Sequence, residues 1–242
     1  MAMYDCIKKY DITFPVVWLF DISYFPSYAS HDWWNTRCGL AADELSTASK
    51  YIHTEARMHY LGARALVRHA LACVAKCPPE KLVFENDLMG KPIVVSPTSA
   101  ANWHFNLSHS GKLIACAVWN RPIGVDVEPQ LRNIDHLLLA KSLFSEDETK
   151  WITSKADRSK QRFMALWTLK EAYLKESGVG LSISLNQIRV RPGCSRRFVV
   201  DTRAVTAGQN RYCRLLRPLQ GYWLAICTAD LFPSPQLYWY MM

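Results

Sequence analysis

The sequence predicts an α+β fold of two similar lobes, because one order of elements occurs twice along its 242 residues. Each half begins with a short apolar strand, continues through at least one helix and includes several short strands. Turn residues separate these strands every few positions, which is typical of small antiparallel sheets. We therefore expect an N-terminal lobe at 1–119 and a C-terminal lobe at 120–242, each a small, mostly antiparallel sheet packed with helices.

Hydrophobic spacing defines the first lobe. The apolar run 14–20 predicts a strand, and an irregular aromatic segment follows it at 23–38. Apolar residues then recur three and four positions apart over 44–76, which predicts one long helix that the following Cys77-Pro78-Pro79 ends. Short strands are expected at 82–84, 93–95, 103–107 and 112–119.

The second lobe is predicted to begin where Asn120-Arg121-Pro122 turns the chain into a strand at 123–127. Ser145, with Glu148 three residues later, is the capping-box signature of a helix start. A stronger helix is expected at 159–176, ending at the glycine-containing segment 177–180. Further strands are expected at 187–190, 197–200, 222–228 and 237–241.

The bulk composition limits the classes of protein to consider. A formal net charge of +8 suits an acidic partner: nucleic acid, anionic lipid, a phosphorylated small molecule or an acidic protein. No apolar run approaches the roughly 20 residues that a membrane helix needs, and we expect a cytoplasmic protein that does not contact a membrane. The eight cysteines contain no C-x-x-C pair, which favours buried thiols over a zinc site or a disulfide framework.

One candidate site is the acidic strand Ile123-Gly124-Val125-Asp126-Val127-Glu128. Side chains alternate along a strand, so Asp126 and Glu128 point to the same face. Adjacent carboxylates repel unless a cation compensates them, and hard oxygen ligands suit Mg²⁺. Taken alone, such a short pattern more often marks a solvated acidic face.

A second candidate site lies on the helix predicted at 159–176. Trp167, Glu171 and Lys175 fall on one face at spacings of four. The opposite face of the helix is mostly apolar and can pack against the core; its residues are Phe163, Leu166, Lys170 and Leu174. The alternative is a surface ion pair between Glu171 and Lys175, worth about a few tenths of a kcal/mol.

Together the two patterns resemble the paired signatures of the 4′-phosphopantetheinyl transferases, G-V/I-D-V/I-E and W-x-x-K-E-A-x-x-K. Three more family motifs match in register: Gly90-Lys91-Pro92, Phe105-Asn106-Leu107-Ser108-His109-Ser110, and Phe144-Ser145-x-x-Glu148. The resemblance covers about 55–185. The length is similar to that of the larger, single-chain class, which implies two pseudo-symmetric lobes with the active site between them.

The resemblance implies a reaction and its metal. Phosphopantetheine would pass from coenzyme A to a serine of an acidic apo carrier protein, acyl or peptidyl, with release of 3′,5′-adenosine bisphosphate. Asp126, Glu128 and Glu171 would bind Mg²⁺, for which Mn²⁺ can substitute. Glu171 would also be the base, directly or through a metal-bound water, and Lys175 would assist catalysis at the pyrophosphate.

The resemblance also implies a set of coenzyme A-binding residues: Arg57, Lys91, Ser108, His109, Lys170 and Lys175. Arg57 is preferred for the 3′-phosphate, with Lys50, His59 and Arg64 as alternatives. Glu148 is expected to cap its helix and to hold a neighbouring basic group, and Trp167 to be a wall of the site or a core residue.

Three rival functions remain open. A nucleic-acid-binding protein would explain the positive charge, but the basic residues do not cluster in one run or on one helix face. An inactive family member would only bind carrier protein or coenzyme A, and a metal-dependent nuclease would leave the Trp167–Lys175 pattern unexplained. The sequence leaves the preferred carrier and the pathway open, and a monomer is expected.

Overall fold

A computed structural model of the protein describes residues 13–25, 30–87, 90–178, 183–193, 197–202 and 210–240. The chain divides into two compact units, which we call unit 1 (Met1–Arg121 with Pro233–Met242) and unit 2 (Pro122–Phe232). The C-terminal segment, expected in the second lobe, therefore belongs to unit 1. Its strand Gln236–Trp239 pairs in parallel with the strand Val16–Asp21, and these main-chain hydrogen bonds hold the segment in unit 1.

Unit 1 contains a four-stranded sheet, a two-stranded hairpin and helices. Its elements in chain order are β1 (Val16–Asp21), α1 (His31–Cys38), α2 (Ala42–Ser49), α3 (Thr54–Ala75), β2 (Val83–Asn86), β3 (Pro92–Ser96), α4 (Thr98–Ala101), β4 (His104–Ser110), β5 (Leu113–Trp119) and, after unit 2, β11 (Gln236–Trp239). The sheet order is β11-β1-β5-β4, and β2 pairs with β3. Every residue of β1 and β5 is buried, and α3 packs against β5.

The long helix predicted at 44–76 is in fact two helices, α2 and α3, and this prediction was wrong. Glu44 of α2 forms ion pairs with Arg64 and Arg68 of α3. In one straight helix, residues twenty positions apart would be separated by about 30 Å. The break at 50–53 therefore folds α2 back onto α3, where the two arginines neutralise a buried carboxylate.

The segment 23–38, expected to be irregular, contains helix α1. The Ser30 hydroxyl accepts a hydrogen bond from Trp33 N at its start. Gly39 ends the helix with φ +66°, a left-handed conformation that favours glycine. Trp34 packs in the core of unit 1, so burial of aromatic side chains stabilises a helix too short to show a clear hydrophobic period.

Unit 2 is a five-stranded antiparallel sheet with helices. Its elements are β6 (Ile123–Pro129), α5 (His136–Leu143), α6 (Glu146–Thr153), α7 (Ser159–Ser177), β7 (Ile188–Pro192), β8 (Arg197–Thr202), β9 (Arg211–Leu216) and β10 (Tyr222–Thr228), with the sheet order β6-β10-β9-β8-β7. Helix α7 packs against β6, β10 and β9. Strand β9 and helix α5 were not predicted; the α+β fold class is confirmed.

Two further sequence predictions, on the cysteines and on membrane helices, can be compared with the described residues. Cys38, Cys73, Cys77, Cys116, Cys213 and Cys227 are buried, as expected, whereas Cys6 and Cys194 lie outside the described residues. The predicted last residues of the 177–180 and 237–241 segments also lie outside them. Within the described parts of the chain, no helix combines the length and apolar character that a membrane crossing requires.

Candidate active site

Gly124 sets the distance between strand β6 and helix α7. A Cβ atom built on Gly124 would lie 2.0 Å from Ala172 O and 2.5 Å from Glu176 N, so only glycine fits there. Because side chains alternate along a strand, Asp126 and Glu128 share the face on which Gly124 meets α7. The glycine of the acidic strand thus allows the helix to lie directly over the two carboxylates.

Both carboxylates of β6 are buried and paired with cations. Lys175 Nζ donates a hydrogen bond to Asp126 Oδ1 at 2.7 Å. Arg132 Nη1 lies 3.1 Å from Glu128 Oε1. A buried carboxylate requires such partners, because loss of water disfavours its ionised form.

Glu171 interacts electrostatically with the same two carboxylates. Burial raises the pKa of Glu171, and the negative charges of Asp126 and Glu128 raise it further, while the Lys175 ammonium opposes the shift. A residue of α7 and two residues of β6, distant in sequence, therefore belong to one electrostatic site. We refer to Asp126, Glu128 and Glu171 as the three carboxylates.

A metal ion fits the chemistry of the three carboxylates, although their arrangement is not that of a formed metal site. Their mutual repulsion is what a hard divalent cation would relieve, and carboxylate oxygens are ligands that Mg²⁺ prefers. Among the residues that the structure describes, however, no group of three His, Cys, Asp or Glu side chains is placed so that it could hold a metal ion. The three-ligand metal site thus stays a prediction.

Lys170, predicted to bind coenzyme A, is held by contacts within unit 2. Its side chain is fully buried, and its Nζ donates hydrogen bonds to Glu148 Oε2 at 2.7 Å and to Leu185 O at 2.9 Å. The ammonium also lies 4.5 Å from the centre of the Phe144 ring. The described contacts of this ammonium therefore lie within unit 2. Binding of coenzyme A by Lys170 stays a prediction.

Glu148 has both of its expected roles. Its carboxylate accepts a hydrogen bond from Ser145 N while its own N–H donates to Ser145 Oγ, which forms the predicted capping box. The same carboxylate holds Lys170. The half-buried Trp167 stacks on Phe163 with ring centres 6.1 Å apart, which agrees with its expected role as a wall or core residue.

In unit 1, the predicted nucleotide-binding residues of β4 lie beside α3. Ser108 is buried, and the exposed His109 stacks on the His59 ring with centroids 5.0 Å apart. His59 Nε2 also lies 2.7 Å from Gly111 O, in the turn after β4. His59, one of the first-lobe basic candidates, therefore contacts His109, which three- and four-residue spacing alone does not reveal.

The other basic candidates of unit 1 differ in their surroundings. Arg64 is paired with Glu44 and stacks on Phe84. Arg57 and Lys50 are exposed. Lys91 is half-buried in the turn that Asp87 closes by accepting a hydrogen bond from Lys91 N.

Sequence reasoning missed two charged partners, one at the three carboxylates and one in unit 1. Arg132 pairs with Glu128, but a lone arginine just beyond a strand carries no periodic signal. Glu44, which engages Arg64 and Arg68, was hidden because one continuous helix was expected. Arg132 is four residues from its partner, whereas Glu44 meets its arginines only because the chain folds back between α2 and α3.

Comparison with known proteins agrees with the motifs. Residues 122–227 match the family model of the 4′-phosphopantetheinyl transferase superfamily, and residues 26–120 match that of the 4′-phosphopantetheinyl transferase N-terminal region. A putative 4′-phosphopantetheinyl transferase of a Synechocystis strain is 32% identical over 79% of this chain and 81% of its own length. The chain belongs to the 4′-phosphopantetheinyl transferase superfamily, as the motifs predicted.

Individual relatives share part of their length with the chain. The 4′-phosphopantetheinyl transferases gsp of Aneurinibacillus migulanus and psf-1 of Bacillus pumilus are 36% and 38% identical, each over 57% of this chain. The chain spans only 55% and 57% of those two relatives. A Thermotoga maritima holo-(acyl-carrier-protein) synthase aligns with 44% of this chain and 61% of its own at 18% identity and a TM-score of 0.37, too low to support an inference.

Proposed function

We propose that the protein transfers 4′-phosphopantetheine from coenzyme A to a serine of an acidic apo carrier protein, acyl or peptidyl. The observation that carries this proposal is the electrostatic coupling of Glu171 and Lys175 on α7 to Asp126 and Glu128 on β6. Family membership supports the reaction class. The four residues are the ones that the two signature motifs supply.

In the proposed reaction, the serine Oγ attacks the β-phosphorus of coenzyme A and the bond to the leaving 3′,5′-adenosine bisphosphate breaks. Glu171 accepts the serine proton, and its raised pKa suits a general base better than an ordinary glutamate. Lys175 donates to phosphate oxygens as a point charge. Ser108, His109, Arg57 and Lys91 are proposed to bind the nucleotide end.

Mg²⁺, or Mn²⁺ in its place, is proposed to be held by the three carboxylates. When bound, it would neutralise the charge of the pyrophosphate and polarise the reacting phosphoryl group. The protein's own contribution is to place two carboxylates of a strand and one of a helix close enough to interact electrostatically. This arrangement depends on the close contact between Gly124 and α7.

The net charge of +8 supports an acidic partner, because opposite charge accelerates encounter. Cys77, Cys116, Cys213 and Cys227 are buried free thiols, which supports a reducing compartment such as the cytoplasm. We propose a monomer that acts without nucleic acid or membrane.

The decisive experiment incubates the protein with coenzyme A, Mg²⁺ and a panel of apo acyl and peptidyl carriers. Intact-mass spectrometry then detects phosphopantetheine on the carrier serine. A carrier whose target serine is replaced by alanine is the control. Absence of modification across the panel would reject the transferase proposal and leave a protein that only binds carrier or coenzyme A.

A further inference from the structure

The pair between Lys175 and Asp126 joins two residues to which the proposed function gives different ligands. Lys175 Nζ lies 2.7 Å from Asp126 Oδ1, and the two side chains are 29% and 6% exposed. Asp126 is proposed as a metal ligand and Lys175 as a ligand of the pyrophosphate. The lysine here pairs with the carboxylate that is proposed to bind the metal.

A metal ion and an ammonium compete for this carboxylate. Mg²⁺ binds oxygen ligands at about 2.0–2.1 Å. An ammonium hydrogen-bonded to the same carboxylate would therefore lie close to the metal, and the two positive charges would repel each other. The side chain of Asp126 is largely shielded from water, so the repulsion is screened less than at a surface. Lys175 also counteracts the rise in the pKa of Glu171, so its charge acts on more than one of the three carboxylates.

We infer that Lys175 is a built-in counter-cation, which occupies Asp126 in the free protein and leaves it when metal and coenzyme A bind. This inference rests on the proposed function and adds a regulation of its site. The pyrophosphate gives the displaced ammonium a new anion, so coenzyme A removes the competitor of the metal. Metal and coenzyme A therefore bind with positive coupling, and each raises the affinity for the other by the same factor.

Arg132 provides a matched control. It too pairs with a carboxylate of β6, Glu128, but at 3.1 Å and with a side chain 49% exposed. Replacing either residue by methionine removes one positive charge near the three carboxylates. A general loss of positive charge would affect both variants alike, whereas displacement of a specific counter-cation would affect Lys175→Met far more.

The test measures Mn²⁺ binding to the full chain without coenzyme A, by electron paramagnetic resonance of free Mn²⁺ and by calorimetry. We expect Lys175→Met to bind Mn²⁺ about tenfold more tightly than the unmodified protein, and Arg132→Met less than about threefold more tightly. Lys175→Gln serves as a second variant, and circular dichroism checks that each protein is folded. Equal effects of Lys175→Met and Arg132→Met, or no gain in either Lys175 variant, would overturn the inference.

A second arm adds coenzyme A, and separates this inference from the proposed function. Coenzyme A should tighten Mn²⁺ binding of the unmodified protein by about tenfold and that of Lys175→Met much less, since its competitor is already absent. If the unmodified protein binds Mn²⁺ with coenzyme A but the Lys175 variants show no gain, only the counter-cation role fails. If it binds no Mn²⁺ even with coenzyme A, the proposed metal site itself fails, and the inference with it.

Discussion

At the scale of single residues, Glu171 is the proposed base, and its ionised form lowers the stability of the fold. Its raised pKa means that the folded protein holds the proton of this carboxyl more tightly than the unfolded chain does. The ionised form is therefore destabilising: the cost is absent below the unfolded pKa and is fully present above the raised folded pKa. Active sites often carry such destabilising groups.

Replacing Glu171 by glutamine removes the repulsion but also the proposed base. We expect Glu171→Gln to abolish transfer, to leave coenzyme A binding measurable and to raise the melting temperature in EDTA at pH 7 by about 2 °C or more. The gain should vanish near pH 4, where the native carboxyl is protonated. The matched control is Glu146→Gln on the exposed end of α6; near-normal turnover of Glu171→Gln would remove this residue from the catalytic role.

His69 is a buried base that the proposed reaction does not use. Burial lowers its pKa from 6.5 to about 4, and its ring packs on Tyr240 with centroids 4.4 Å apart. Because the folded pKa is below the unfolded one, the unfolded chain takes up the proton first, and stability is lost as pH falls from 6.5 towards 4.

We expect this single residue to contribute on the order of 3 kcal/mol to the loss of unfolding free energy over that pH range. The measurement is urea denaturation at pH 6.5 and pH 4.5 of the unmodified protein and of His69→Phe, which keeps an aromatic ring against Tyr240. The variant should lose clearly less stability than the unmodified protein. Parallel losses would show that other groups cause the acid sensitivity.

Lys170 and Glu148 form a buried ion pair, which we expect to stabilise the fold. Lys170→Met leaves the Glu148 carboxylate without its ammonium, at an expected cost of about 3–5 kcal/mol, and the double variant Lys170→Met/Glu148→Gln should recover part of it. Chemical denaturation checks the stability, and the KM for coenzyme A of the folded fraction checks the role. A large rise in that KM without loss of stability would support Lys170 as a coenzyme ligand.

At the scale of elements, the site depends on the contact of α7 with β6. The helix can approach the strand because Gly124 has no side chain, and the nearest atoms are backbone atoms of α7 that cannot rotate away. A methyl group there would push the helix outward and move Glu171 and Lys175 away from β6. Gly124 thus sets the position of Glu171 and Lys175 relative to β6, although it has no side chain that could react.

Gly124→Ala should therefore reduce kcat by at least about 100-fold, in the range that a displacement of about 1 Å produces. It should also lower stability by about 1–3 kcal/mol, as overpacking does. Gly193→Ala is the control, because its Cβ would meet nothing closer than 3.2 Å. Retained kcat in Gly124→Ala, with a normal melting temperature, would contradict the positioning role.

At the scale of the whole molecule, the positive net charge gives the proposed partner a physical basis. Attraction between a basic enzyme and an acidic carrier is screened as salt shortens the Debye length from about 10 Å at 0.1 M to about 3 Å at 1 M. Charge of this kind affects the encounter more than the chemical step.

We expect kcat/KM for an acidic carrier to fall by about tenfold or more between 0.05 and 0.5 M NaCl, while kcat changes little. A short neutral peptide containing the acceptor serine is the control substrate, and its kcat/KM should vary much less. An equal salt dependence for carrier and peptide would argue against electrostatic steering of the carrier.

The sequence by itself determined the features that depend only on residues near each other in the chain. Alternation on a strand placed Asp126 and Glu128 on one face, and helical spacing put Glu171 and Lys175 together on another element. The capping box gave the start of α6 at Ser145. The motifs also predicted the family, because they have the residue types of its signatures in the same order.

Only the tertiary structure decided which distant groups meet. The periodicity at 44–76 could not show that Glu44 needs a break in the helix to reach Arg64 and Arg68. No local pattern could show that β11 pairs with β1. Nor could it show that the basic group held by Glu148 is Lys170, or that Lys175 pairs with Asp126. Burial and charge pairing depend on residues far apart in the chain, and these long-range contacts distinguish the lysine that supports the fold from the lysine that regulates the site we propose.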